Sequence, residues 1–197
     1  MVLIVNTTSD TSITDEIRKE IASRSTAVTK AEAANKTAVT KAEATTETEA
    51  TTTPSIEIIE AASLNISNCI GCNYCWLKTP GVCTIKDDYE IILKKVIHAD
   101  QLWVISDTAL GFIDHKGKNI FDRILPIATM YLRFRGDQMR HVPRYDQRTD
   151  IGLICLGDME KDYLKRWNER AALNFESKSL GVFERNEVKE AVSCMCR

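Results

Sequence analysis

Four of the chain's seven cysteines crowd into one short segment. It reads Cys69-Ile70-Gly71-Cys72-Asn73-Tyr74-Cys75, and Cys83 follows after seven intervening residues. Thiolates spaced in this way on a loop are compatible with a [4Fe–4S] site. A set of free thiols, one of them redox-active, satisfies the same pattern. Structural zinc is a third reading, although two overlapping C-x2-C steps are less usual for it. The odd cysteine total argues against a disulfide framework.

Two other segments carry residue types suited to ligand chemistry. Thr7, Thr8, Ser9, Thr11, Ser12 and Thr14 stand just before a helical stripe. Their hydroxyls, with the free N–H groups of a helix start, can hold a phosphate dianion. The same residue types cap helices, so a capped, solvated turn fits equally well. Asp10 would repel a phosphate and is expected to point away. The second segment is Asp107, Thr108, Ala109, Leu110 and Gly111, directly after an apolar run. Gly111 permits close backbone approach to a planar ring. Phe112 packs near such a ring or, more commonly for an aromatic, in the core. His98, His115 and His141 have no Ser, Asp or Cys partner at a recognisable spacing, so a hydrolytic triad has no support. His115 and Lys116 read as solvated loop residues or as groups at a ring edge.

These segments need elements to position them. Residues 2–6 form a buried, β-branched strand, and Ile13, Ile17 and Ile21 make the stripe of the first helix. Further strands are predicted over 55–60, 101–106, 151–156 and 180–184. Helices are predicted over 87–98, 116–132 and 160–175 and from about Asn186 onward. Strands alternating with helices specify a parallel sheet covered on both faces. With right-handed crossovers, five strands suit the order 2-1-3-4-5. Ligands of such sheets bind at the strands' carboxyl ends, where the order reverses.

Residues 26–53 differ in kind. The run Thr26 to Ala33 recurs at Thr37 to Ala44, a period of 11 that places Val28 and Val39 on one helical face. The stretch reads as a low-complexity Thr/Ala-rich insertion between first helix and second strand, within a single domain of 1–197. An extension of the helix and a partner-binding arm are the other readings.

The formal net charge is −2, which supplies no basic excess for nucleic acid or an anionic membrane. No apolar run is long enough to span a bilayer. The opening Met1-Val2-Leu3-Ile4-Val5-Asn6 is too short for a signal-peptide core, so the cytoplasm is the expected compartment.

The motifs resemble those of the flavodoxin-like NADPH-dependent FMN reductases and iron–sulfur flavoproteins. The match runs through Cys69 to Cys83, then Lys86-Asp87-Asp88-Tyr89, Ala99-Asp100 and the strand to Ser106. It continues in Lys118-Asn119-Ile120-Phe121-Asp122-Arg123 and Met139-Arg140-His141-Val142-Pro143-Arg144-Tyr145-Asp146, covering most of residues 55–175. The resemblance implies a flavodoxin-like three-layer sandwich and bound FMN. It also implies two-electron reduction by NAD(P)H, an electron acceptor that the sequence does not name, and a homodimer or homotetramer. Thr7, Ser9, Thr11, Ser12 and Thr14 would surround the phosphate, and Asp107 to Gly111 would pass along the isoalloxazine. In the iron–sulfur members, cysteines like Cys69, Cys72, Cys75 and Cys83 hold a [4Fe–4S] cluster. The first loop departs from the family's Gly-Ser-Pro-Arg pattern and so lacks one charge-assisted phosphate contact. The second has Leu110-Gly111 where an aromatic-glycine pair is usual. A flavin-free binding or scaffold protein is therefore the alternative.

Overall fold

A computed structural model describes residues 1–36 and 54–197. Strand β1 (Val2–Asn6) is buried along its whole length and lies between two parallel neighbours, β2 (Ile56–Glu60) and β3 (Gln101–Ala109). Beyond β3 lie β7 (Asp150–Leu156) and β8 (Ser179–Glu184), both parallel. The path β2-β1-β3-β7-β8 is the predicted 2-1-3-4-5 order, with hairpin strands added. Among the described residues, no helix is long and apolar enough to cross a membrane.

The pleat sends alternate residues to opposite faces, and each face builds its own core. Leu3, Val5, Leu102, Val104, Leu153 and Cys155 pack against α3 (Tyr89–Val96), α4 (His115–Asp122) and α5 (Lys161–Asn174). Val2, Ile4, Trp103, Ile105 and Ile154 pack against α1 (Ser12–Lys36) and α6 (Val188–Met195). Each large side chain so buried contributes roughly 1.5–3 kcal/mol of transfer free energy. Gly152 is the complement of Trp103 on the neighbouring strand: a Cβ there would lie 2.5 Å from the indole.

The structure corrects several boundaries. Helix α1 continues through the first copy of the Thr/Ala repeat to Lys36, as a run rich in Ala, Lys and Glu allows. The expected insertion therefore begins inside a helix, and its second copy lies outside the described residues. The helix predicted over 116–132 stops at Asp122. A 3-10 turn, Leu125–Ile127, with Pro126 inside it, follows. Then come β5 (Ala128–Arg135) and β6 (Gln138–Pro143), an antiparallel pair outside the main sheet. Proline lacks the N–H that a continuing helix needs. The third strand outruns its predicted end and folds back on β4 (Phe112–Ile113). The predicted cysteine loop holds a single helical turn, α2 (Tyr74–Leu77).

Candidate functional site

The first turn leaves β1 beside β3, where the Thr7 amide and hydroxyl both donate to Ile105 O. Thr14 is buried, and its hydroxyl donates to Thr11 O and to Glu60 Oε1. Asn6 Nδ2 donates to the other Glu60 oxygen and to Asp10 O. Thr7 and Thr14 thus spend their hydroxyl donors within the protein. Ser9, Thr11 and Ser12 remain exposed. The Asp10 carboxylate accepts from Ser12 N at 2.8 Å and so caps the start of α1. That bonding to Ser12, side chain and amide, holds the Asp10 carboxyl below its usual value. Asp10 stays exposed, as expected, and its carboxylate serves the helix start, whose unpaired N–H groups draw the nearest carboxylate.

The second turn is the tip of the β3–β4 hairpin. Ala109 pairs with Phe112, and Leu110 and Gly111 both have positive φ, at 53° and 77°. Two positive φ values are the requirement of a type I′ turn. Leu110 is fully exposed at this tip. Gly111 O accepts from Glu160 N at 2.8 Å, and a Cβ on Gly111 would meet Glu160 Cγ at 2.8 Å. The close approach that Gly111 permits is therefore taken up by the start of α5. Asp107 and Thr108 are half-buried and Ala109 is exposed.

Between the first turn and α4 lies a polar cavity of about 250 Å³. Thr7, Asn68, His115, Lys116 and Asn119 line it, with Ala61, Ala62, Leu64 and Ile66 contributing from beyond β2. It sits where β1 and β3 part, the switch point of the sheet. Asp114 fixes this end of α4: its carboxylate accepts from Gly117 N and from Ser106 Oγ. The pattern of an aspartate three residues before Gly117, after an apolar strand, is a readable helix-start signal. Asn68, Asn119 and Glu60 gave no comparable signal in the sequence.

The cysteine segment is pinned onto the same helix. Asn119 accepts from Cys69 N and donates to Ser67 O. Arg123 donates to Ser67 O, to Asp87 at 2.5 Å, to Ile85 O and to Cys83 Sγ at 3.5 Å. Tyr89 lies under the guanidinium and closes the stack through its hydroxyl to Ile120 O. Trp76 Nε1 donates to Leu125 O, and its ring meets His141 at 4.5 Å. Burial raises the Cys75 thiol above its usual value, and Cys83, Cys72 and Cys69 raise it further. These influences keep Cys75 in its thiol form, and an Arg123 guanidinium N–H rests on the Cys83 sulfur. Among the described residues the four thiols are not drawn into a ready metal-binding group.

The sheet order, the covering helices and the site at the switch point define a flavodoxin-like α/β sandwich. The chain is 38% identical over 71 residues to an iron-sulfur flavoprotein of Methanocaldococcus jannaschii, and the match spans 36% of each chain. No known family profile matches. The fold is shared with RosB, solved with the bound intermediate 8-demethyl-8-formylriboflavin-5'-phosphate. That likeness has a TM-score of 0.54 at 11% identity and covers 99% of this chain and 77% of RosB. It is shared as well with an NADH:FMN oxidoreductase in its apo form, at a TM-score of 0.52 and 7% identity, covering 99% and 87%.

Proposed function

We propose that the chain is an FMN-binding oxidoreductase or electron-transfer flavoprotein that takes electrons from a nicotinamide donor. The observation that carries this reading is the polar cavity at the carboxyl ends of β1 and β3, bordered by Thr7 at the start of the hydroxyl-bearing turn and by Lys116. Ser9, Thr11 and Ser12, with the first amides of α1, are the phosphate-side groups. Lys116 supplies the cationic partner that the first loop lacks. Thr7 and Thr14 serve by fixing the loop's shape. Asp107, Thr108, Ala109 and Leu110 would border the ring, and Gly111 would serve by seating their turn on Glu160. FMN when bound would supply hydride acceptance and electron storage, and the protein would supply position and electrostatics. The match to an iron-sulfur flavoprotein and the fold of an NADH:FMN oxidoreductase support the reading.

The test is titration of the apoprotein with FMN, followed by flavin fluorescence. Lys116→Ala is expected to weaken binding about tenfold, or about 1.4 kcal/mol. Asp10→Asn is expected to strengthen it by removing a carboxylate that competes for the α1 amides. A colourless protein that takes up no added FMN would leave the flavin-free scaffold standing.

A second reading has its own support in the spacing of Cys69, Cys72, Cys75 and Cys83 and in the partial match to an iron-sulfur flavoprotein. In that reading they hold a [4Fe–4S] cluster, and the protein is an iron–sulfur flavoprotein. Iron and acid-labile sulfide, assayed after anaerobic purification, decide it. The reading extends to a homodimer or homotetramer. The β5–β6 hairpin exposes Tyr131, Leu132, Phe134 and Met139, a surface that a second copy would cover. Light scattering gives the mass.

A further inference from the structure

On the other face of α4 lies a cleft of about 470 Å³, which shares no lining residue with the cavity at the strand ends. Its size is within the usual range of small-molecule sites. Helix α5 gives the cleft a regular floor. Trp167 and Ala171 of α5, and Phe175 just after it, are spaced four residues apart and stand in a row on one side. The small residue between two large rings leaves a slot. The rings around it are fixed before anything binds. Trp167 meets Phe112 and Phe121 edge-on, at 5.1 and 4.9 Å. Trp76 lines the cleft from α2, with its indole N–H tied to Leu125 O.

The charges in this wall do not balance. Lys118 and Asp122 pair with each other. His141 is spent on Thr129 O and on the Trp76 ring. Among the described residues Arg140 donates to neutral acceptors only, Leu173 O and Gln138 Oε1. One N–H is left on each of its terminal nitrogens. Arg170, one turn before Leu173, is exposed and has no hydrogen bond or ion pair among the described residues. Two guanidiniums thus stand without a carboxylate beside a row of aromatic rings.

We propose that this cleft binds a flat aromatic ring system carrying an anionic group, the ring in the slot over Ala171 and the anion at Arg140 and Arg170. A guanidinium fork gains charge-assisted hydrogen bonds from a carboxylate or phosphate that a neutral group does not give. A flat ring gains stacked and edge-on contacts with the aromatic walls that a saturated ring of the same size does not. The site is independent of flavin binding at the strand ends.

Full-length protein, labelled at its indole nitrogens and titrated with 2-naphthoate, tests this. The Trp76 and Trp167 resonances are expected to shift saturably. Trp103, wholly buried in the α1–α6 layer, is expected to stay still. Neutral 2-naphthamide and saturated decalin-2-carboxylate are each expected to bind about tenfold more weakly. AMP in a parallel titration shows whether the anion is a nucleotide phosphate or a free carboxylate, whichever binds more tightly. Arg170→Gln, at an exposed position, is expected to bring 2-naphthoate down to the level of the amide. Ala171→Leu, which fills the slot, is expected to abolish the shifts; if it fails to fold, Arg170→Gln and the probe series on the unaltered protein still decide. No saturable shift with either anion, as when a second copy of the chain fills the cleft, overturns the site. Equal binding of the amide overturns the role of the arginines, and equal binding of the saturated acid overturns that of the rings.

Discussion

Asp87 and Arg123 form an ion pair whose two side chains are almost wholly buried, at 3% and 1% exposure. Burial alone would raise the Asp87 carboxyl. The hydrogen bond from Arg123 and the amides of Ser67 and Tyr89 outweigh it and hold the group below its usual range. A carboxyl depressed in the folded state stabilises fully above its unfolded value, near about 4, and loses that contribution as pH falls through its lower folded value. Urea unfolding across that acid range should therefore show a stability loss in the wild type that is flattened in Asp87→Asn. At neutral pH the same substitution leaves the guanidinium uncompensated and is expected to cost about 3–5 kcal/mol. The sequence announced the thiols through their spacing, but it could not announce this pair. A lone arginine near the end of a helix reads as a solvated residue. Only the fold brings Asp87 from the turn before α3 to meet it. The first turn was legible as a cluster of hydroxyls. Which hydroxyls were free was not, because Glu60 reaches Thr14 from a different strand.

Among the elements, the apolar strands were the plainest to read, since runs such as Val2 to Val5 are buried on both faces. The β5–β6 hairpin was missed because its strands carry arginines and exposed aromatics in place of a clean alternation. Two signals were present: Pro126 as a helix stop, and Gly136-Asp137 between Arg135 and its partner Gln138. Gly136 has φ of 57°, the first central position of a type II′ turn. The β3–β4 turn is tight in the same way but puts a leucine in the left-handed region. Leu110→Asn, which tolerates that conformation, is expected to raise stability by about 0.5–1 kcal/mol, measured by urea unfolding. A matching loss in FMN affinity would mark the exposed leucine as a contact of the bound ring.

For the molecule as a whole, one sheet separates two cores, so a fault in a central strand is felt on both sides. Gly152 tests this. Its Cβ, if present, would press on Trp103, which is wholly buried in the α1–α6 layer. Gly152→Ala is expected to destabilise by about 1–3 kcal/mol through overpacking. For a chain of this size that lowers the melting temperature by about 2–4 °C per kcal/mol, which calorimetry reads directly. The strand order itself followed from the alternation of strands and helices, because right-handed crossovers leave few arrangements.

Helix α4 is the one element that the two candidate sites have in common. Lys116 borders the cavity at the strand ends, and Asn119 grips the backbone of the cysteine segment. The two are three residues apart, roughly 4.5 Å along the helix axis. Whatever is held at the strand ends and whatever the cysteine segment carries would thus rest on one rigid turn, so a disturbance of α4 would be felt at both.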